Sequence, residues 1–333
     1  MSLKTKALLI GLLISNAAHA NTLLVGNKND ARLTFLNLQS GNIVKTIETG
    51  VGPHEIAISP DKQYAVVVNY GDRDNRGNSI SLIDVNKGEI INTITDDALL
   101  SPHGVQWFKD NRHVLVTAER QDQIVKLDPF AGKIVSTAET RAKVSHMLVI
   151  SPDEKIAAVS NLGSSDISLI DLVKMKFIKT VKTGNGAEGI DYTPDGKEVW
   201  VTNREDDNIS VVETEKWTIS RTLATGDFPI RVKISGDQKY ALVSNANANS
   251  LGIYDAKTYA LIKTLSLKDG KNNLTMPIGI LFSDDNQTAF VAHAGGQKIS
   301  VINMETLKRT KIIDAGPAPD GMGFVNQSLD FKQ

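Results

Sequence analysis

Short runs in which apolar and polar residues alternate recur along the whole chain, and each group of runs has the same layout. An alternating run leads into a Pro-Asp-type turn, a β-rich run closes on Asn, a few polar residues follow, an Ile/Val run ends on Asp, and one more alternating run completes the unit. Period-two alternation over runs of about 4–8 residues predicts half-buried strands. The segment Ala187 to Leu223, AEGIDYTPDGKEVWVTNREDDNISVVETEKWTISRTL, contains all four. Taking Glu188 of that copy as a register mark, the equivalent positions are His54, His103, His146, Glu188, Ile230, Ile278 and Asp320, separated by 49, 43, 42, 42, 48 and 42 residues. A four-strand repeat of this period predicts an all-β, seven-bladed β-propeller with antiparallel blades.

Two further columns support the register. Asp61, Asp110, Asp153, Asp195, Asp237 and Asp285 lie seven residues after their marks, and Asn69, Ala118, Asn161, Asn203, Asn245 and His293 lie fifteen after. The seventh copy is split: PDGMGFV stands at the C-terminal end, while TLLVGN, RLTFLNLQ and NIVKTIET, with Asn27 in the Asn column, stand at the N-terminal end. Pairing the two ends in one blade would close the ring and remove exposed strand edges. The expected organisation is a leader over 1–20 and a single propeller over 21–333. That leader, MSLKTKALLIGLLISNAAHA, has Lys4 and Lys6, a short apolar run and an Ala-His-Ala end, the pattern of a cleavable signal peptide, so the expected location is the periplasm of a host with two membranes.

The chain has no cysteine, which excludes disulfides and thiolate metal sites. Loss of Lys4 and Lys6 with the leader leaves 35 basic and 38 acidic residues, a balance that gives no bulk attraction for nucleic acid. The copy Trp200-Val201-Thr202-Asn203 resembles the repeat of the YVTN β-propeller family, and the resemblance extends over essentially all of 21–333. It implies an extracytoplasmic propeller. Members with this fold include binding proteins, one similar to a DNA binder, the haem domain of cytochrome cd-type nitrite reductases, and lactonase-like propellers.

In such a blade the start of the first strand and the end of the second share one face, so the marks and the Asn column should ring one opening. Four of the five histidines after the leader, His54, His103, His146 and His293, fall in these two columns. With Glu188, Asp320, Arg231, Arg204 and Arg120 they define an expected ligand-binding funnel. Two insertions, GDRDNRGNS and SLKDGKNNLTMP, are expected to enlarge the same face. Imidazoles at His54, His103 and His146 could ligate a transition metal or haem iron, or exchange protons near neutral pH. The expected function is that of a monomeric binding or scaffold protein taking a small molecule, metal, haem or partner protein in the funnel. Two alternatives are carried: a metal- or haem-dependent enzyme, oxidoreductase or lactonase/lyase-like, at the same place, and a DNA-binding propeller using its arginines. The Asn column and the strand-end Asp residues are expected to cap turns, and Trp107, Trp200 and Trp217 to pack between blades. Gly184 to Gly189 matches a dinucleotide fingerprint in letters only, because it opens a strand and not a helix.

Overall fold

The computed structural model describes residues 21–268, 270, 275–329 and 331. The expected leader lies outside the described residues, as does part of the second insertion. No helix of the described residues is long and apolar enough to cross a membrane.

Among the described residues, twenty-eight strands form seven four-stranded antiparallel sheets. Numbering blades from the first mark, blades 1 to 6 run consecutively from Pro53 to Asp314, each with its innermost strand first. Blade 7 combines the C-terminal strand Pro319–Val325 with Thr22–Asn27, Arg32–Asn37 and Ile43–Glu48, and Leu23 pairs with Phe324 across the closure. The core lies between blades. Seven apolar clusters fill the seven interfaces, and the one between blades 1 and 2, for example, joins Val66, Val68 and Leu82 to Trp107, Val116 and Val125. Trp107 also donates its indole N–H to the Ala57 carbonyl across that interface at 2.9 Å, and Trp200 stacks on Tyr259 of the next blade, so both serve the packing role expected of them.

The Asp column closes the turn between first and second strands. Asp61, Asp153, Asp195, Asp237 and Asp285 each accept a hydroxyl from a Ser or Thr two residues back, at 2.6–2.7 Å, and the backbone N–H two residues on. Blade 2 has Phe108 where the others have that hydroxyl. There Asp110 takes the His113 ring instead, at 2.6 Å, which accounts for the one histidine outside the two columns.

The Thr-Asn end of the second strand has two separate tasks. Thr117, Ser160, Thr202 and Ser244 donate their hydroxyls to the backbone carbonyl of the next blade's mark, His146, Glu188, Ile230 and Ile278. The following Asn reaches outward to the third strand of its own blade, as Asn203 does to Asn208 and Ser210 and Asn161 to Asp166 and Ser168. A glycine backs this belt: a Cβ on Gly50, Gly184 or Gly316 would stand 2.4–2.8 Å from the side chain of Asn69, Asn203 or Asn27.

Candidate functional site

Every mark is the second residue of an innermost strand, and in all seven blades the pairing register shifts around it. A bulge re-aims a side chain out of the regular pleat. Just before it, the residue two places ahead of each mark, Gly52, Ser101, Val144, Gly186, Phe228, Met276 and Ala318, has positive φ and accepts the backbone N–H of the residue that follows the Asn column. That second set is Lys28, Tyr70, Glu119, Leu162, Arg204, Ala246 and Ala294, so marks and post-Asn residues form two adjacent rings around the axis.

Together they line a cavity of about 220 Å³ bounded by Lys28, His54, Tyr70, His103, His146, Glu188, Arg204, Ile230, Arg231, Ile278 and Asp320. The three imidazoles stand in a row, with ring centroids 4.0 Å apart from His54 to His103 and 3.7 Å from His103 to His146. Tyr70 meets the first two edge-on. All three are buried, and each has different neighbours.

His146 lies between two carboxylates: Nδ1 donates to Glu119 Oε2 at 2.7 Å, and Nε2 is 3.4 Å from Glu188 Oε1. Burial opposes its charge, but the two carboxylates outweigh burial and raise its pKa, favouring imidazolium. At His103 burial, then the charge of His146 and other positive groups, dominates, so its pKa falls well below the ordinary value and it stays neutral. Burial also lowers His54, whose Nε2 accepts from the Lys28 ammonium at 2.8 Å, although Asp320 Oδ2 lies 3.4 Å from its Nδ1. Arg231 crosses the axis from blade 5 to form an ion pair with Glu55 of blade 1, and is 3.8 Å from Glu188. Burial raises both carboxyls, but the guanidinium and the histidines overcome it, bringing Glu188 down to about 2 and Glu55 lower still. Arg204 completes the Glu188 pair at 2.7 Å.

Of the nine residues expected in the funnel, the structure brings together seven: His54, His103, His146, Glu188, Arg204, Arg231 and Asp320. His293 is a correction. It ends the second strand of blade 6 in the Asn column and binds Ser300 on its own third strand at 2.8 Å, doing the work of the belt asparagines. Arg120 is the second correction: it lies in the short 3₁₀ turn Glu119–Gln121, whose geometry leaves Arg120 exposed and turns Glu119 inward. Glu119, Tyr70, Lys28 and Glu55 are site residues that were missed. The first three could have been found by reading one residue beyond the Asn column, while Glu55, one residue past its mark as Arg231 is, carries no such signal, because its partner lies across the ring. The insertion after Asn69 lengthens the blade 1 hairpin, Tyr64–Gly71 and Arg76–Asp84, whose tip is closed by Asp72 accepting from the N–H groups of Asp74 and Asn75.

Among the described residues, two clusters could hold a metal: His54, Glu55 and His103, and His103, Glu119 and His146, each with ligand atoms within 4.8 Å of one another. The three histidines expected to share one ion are thus divided between two, with His103 common to both. A haem would have to lie above this ring, since the cavity, at about 220 Å³, is smaller than the roughly 300–1,000 Å³ of ordinary ligand and cofactor pockets.

Comparison with known proteins bears on the scaffold. The family model described as YNCE-like beta-propeller matches residues 197–275. Curated proteins contain no sequence match to the chain. Among solved structures, a functionally unknown protein from Desulfotomaculum acetoxidans is similar at 15% identity and TM-score 0.78, over 93% of this chain and all of that one. The periplasmic gluconolactonase PpgL of Pseudomonas aeruginosa aligns at 16% identity and TM-score 0.75, over 93% of this chain and 99% of its own. The hydrazine synthase of Kuenenia stuttgartiensis aligns at 16% and 0.72, over 84% and 96%. At these identities the likeness is one of fold, which does not carry function with it. The chain is a seven-bladed β-propeller, similar over residues 197–275 to YNCE-like β-propellers.

Proposed function

We propose that the protein is an exported binding protein whose funnel takes a small, polar, partly anionic molecule. The observation that carries this reading is a set of buried polar atoms without hydrogen-bond partners on residues of the one cavity: His54 Nδ1, His103 Nδ1, Arg204 Nε, Arg231 Nη1 and both oxygens of Asp320. Buried polar groups are nearly always hydrogen-bonded, so a set left with ion-pair contacts of 3.4–3.8 Å or none around a single opening calls for a partner there. Arginine N–H groups suit a carboxylate or hydroxyl oxygen, and Asp320 suits a hydroxyl or ammonium donor. A hydroxy acid or amino acid of a few carbons combines both within the cavity volume.

The test is a thermal-shift and calorimetric screen of hydroxy acids, sugar acids and amino acids against protein recovered from the export compartment. A ligand at a hundred times its Kd adds about 2.7 kcal/mol of stability, and Arg231→Met together with Asp320→Asn should abolish the response. A screen in which no such compound shifts the transition sinks the ligand class. A chain that stays in the cytoplasm with residues 1–20 attached sinks the export.

A second reading, catalysis on the bound molecule, is favoured by His103 and His146. A neutral imidazole and a protonated one side by side form a base and an acid in one cavity. Turnover of a compound found in the screen, lost in His103→Gln while binding persists, would support it. Binding without turnover of any compound in the screen would count against it.

A further inference from the structure

We infer that the funnel contains a seat for one divalent transition-metal ion, formed by His54, His103, Glu55 and Asp320. The inference rests on reading the funnel as a binding site and assigns a ligand to its blade 7, 1 and 2 side.

The geometry distinguishes this corner from the rest. His54 Nδ1 lies 3.4 Å from Asp320 Oδ2 and 3.7 Å from Glu55 Oε1, and a His103 ring nitrogen falls within 4.8 Å of the His54 and Glu55 ligand atoms. Ligand atoms at about 2.0–2.1 Å from a tetrahedral zinc-type ion stand about 3.3–3.4 Å from one another, so His54 Nδ1 and Asp320 Oδ2 already stand at that spacing and Glu55 and His103 have to close in on them to enclose an ion. Three of the four groups present atoms that lack hydrogen-bond partners. His54 Nδ1, His103 Nδ1 and both Asp320 oxygens are buried without hydrogen-bond partners, and His103 and Asp320 are each 1% exposed. Two imidazoles and two carboxylates form a mixed nitrogen and oxygen set suited to zinc, cobalt, nickel or copper.

The neighbouring cluster of His103, Glu119 and His146 is chemically similar but committed. His146 has a carboxylate at each ring nitrogen, and Glu119 accepts from His146 on one oxygen and from Tyr70 on the other at 2.7 Å. An ion there would have to break those contacts. At the proposed seat the competing cations are Arg231, paired with Glu55, and Lys28, whose ammonium is 3.4 Å from Asp320 Oδ2 and 2.8 Å from His54 Nε2. Lys28 is one-third exposed and has room to swing into water when an ion enters.

The experiment is titration of the mature protein, purified without a metal-affinity tag and stripped with chelator, with Co²⁺ followed by its d–d absorption and with Zn²⁺ by competition. One equivalent of Co²⁺ with the intense bands of a tetrahedral site is expected. His54→Gln and Asp320→Asn should each weaken it at least tenfold, and more than His146→Gln does. Lys28→Met should tighten it, a gain that misfolding cannot produce. Absence of stoichiometric Co²⁺ binding by the folded wild type, or loss as complete in His146→Gln as in His54→Gln, would overturn the assignment. Uptake of a hydroxy acid or amino acid without Co²⁺ binding would remove the metal seat and leave the proposed function standing.

Discussion

The rim of the funnel has two unlike sides on one backbone. From blade 7 round to blade 4 the marks are Asp320, His54, His103, His146 and Glu188, while blades 5 and 6 present Ile230 and Ile278, followed in the second ring by Ala246 and Ala294. Yet the apolar side has the same positive-φ turn, the same bulge and the same hydroxyl tie from the preceding blade, with Thr202 on the Ile230 carbonyl and Ser244 on that of Ile278. The propeller therefore closes as well around isoleucine as around histidine. Burying imidazoles, carboxylates and guanidinium groups on one side is costly unless they are paired, and no feature of the repeat demands it.

The sharpest way to break this contrast is at Arg231, a charged side chain that reaches across from the apolar side to Glu55. Arg231→Leu leaves the mostly buried Glu55 without its main counter-charge and takes a third, longer contact from Glu188, and breaking a buried pair in this manner costs about 3–5 kcal/mol. Urea unfolding should show that loss. Arg231→Leu combined with Glu55→Leu should recover much of it, because the orphaned charge of Glu55 goes too. A double variant no more stable than the single one would mean that the charged side is held by something other than mutual pairing.

A finer division runs inside the charged side, between His146 and His103. The His146 pKa is raised on folding, so its stabilisation is complete below the unfolded value of about 6.5 and is lost as pH rises through the folded one. The His103 pKa is lowered, so below about pH 6.5 the unfolded chain binds the extra proton and stability falls with pH. In chelated protein, His146→Gln should flatten the alkaline side of a stability–pH curve and His103→Gln the acid side, each by on the order of 1 kcal/mol. The same flattening from both would show that the two rings titrate as one unit.

How far the chain revealed this depended on whether a position is repeated or unique. The blades were legible because Asp61, Asp153, Asp195, Asp237 and Asp285 make the same turn five times, and the marks were legible because the bulge sits at the same place in every copy. The split seventh blade followed from the same count. Glu119 was legible by its column but not by its direction: it stands beside Arg120, and only the 3₁₀ turn after Ala118 decides which of the two faces inward. Nor does a repeat disclose contacts across the ring, such as Arg231 with Glu55, which lie 176 residues apart in the chain. Those depend on where the blades are placed around the axis and not on anything local.

His293 gives the smallest expected effect and the cleanest separation of belt from funnel. By residue type it belongs with the other histidines, but by position it belongs with Asn27, Asn69, Asn161, Asn203 and Asn245, and its bond to Ser300 repeats that of Asn203 to Ser210 and Asn161 to Ser168. His293→Asn restores the side chain that the repeat uses elsewhere, so stability should change by less than about 1 kcal/mol, the usual range of a single neutral hydrogen bond. Small-ligand and Co²⁺ responses of the funnel should keep their wild-type affinities. His293→Leu leaves the Ser300 hydroxyl buried without that partner and should cost about 1–3 kcal/mol, again without touching the funnel. A loss of Co²⁺ or ligand binding in the well-folded His293→Asn protein would return this histidine to the site and show that position in the repeat is a poorer guide to role than residue type.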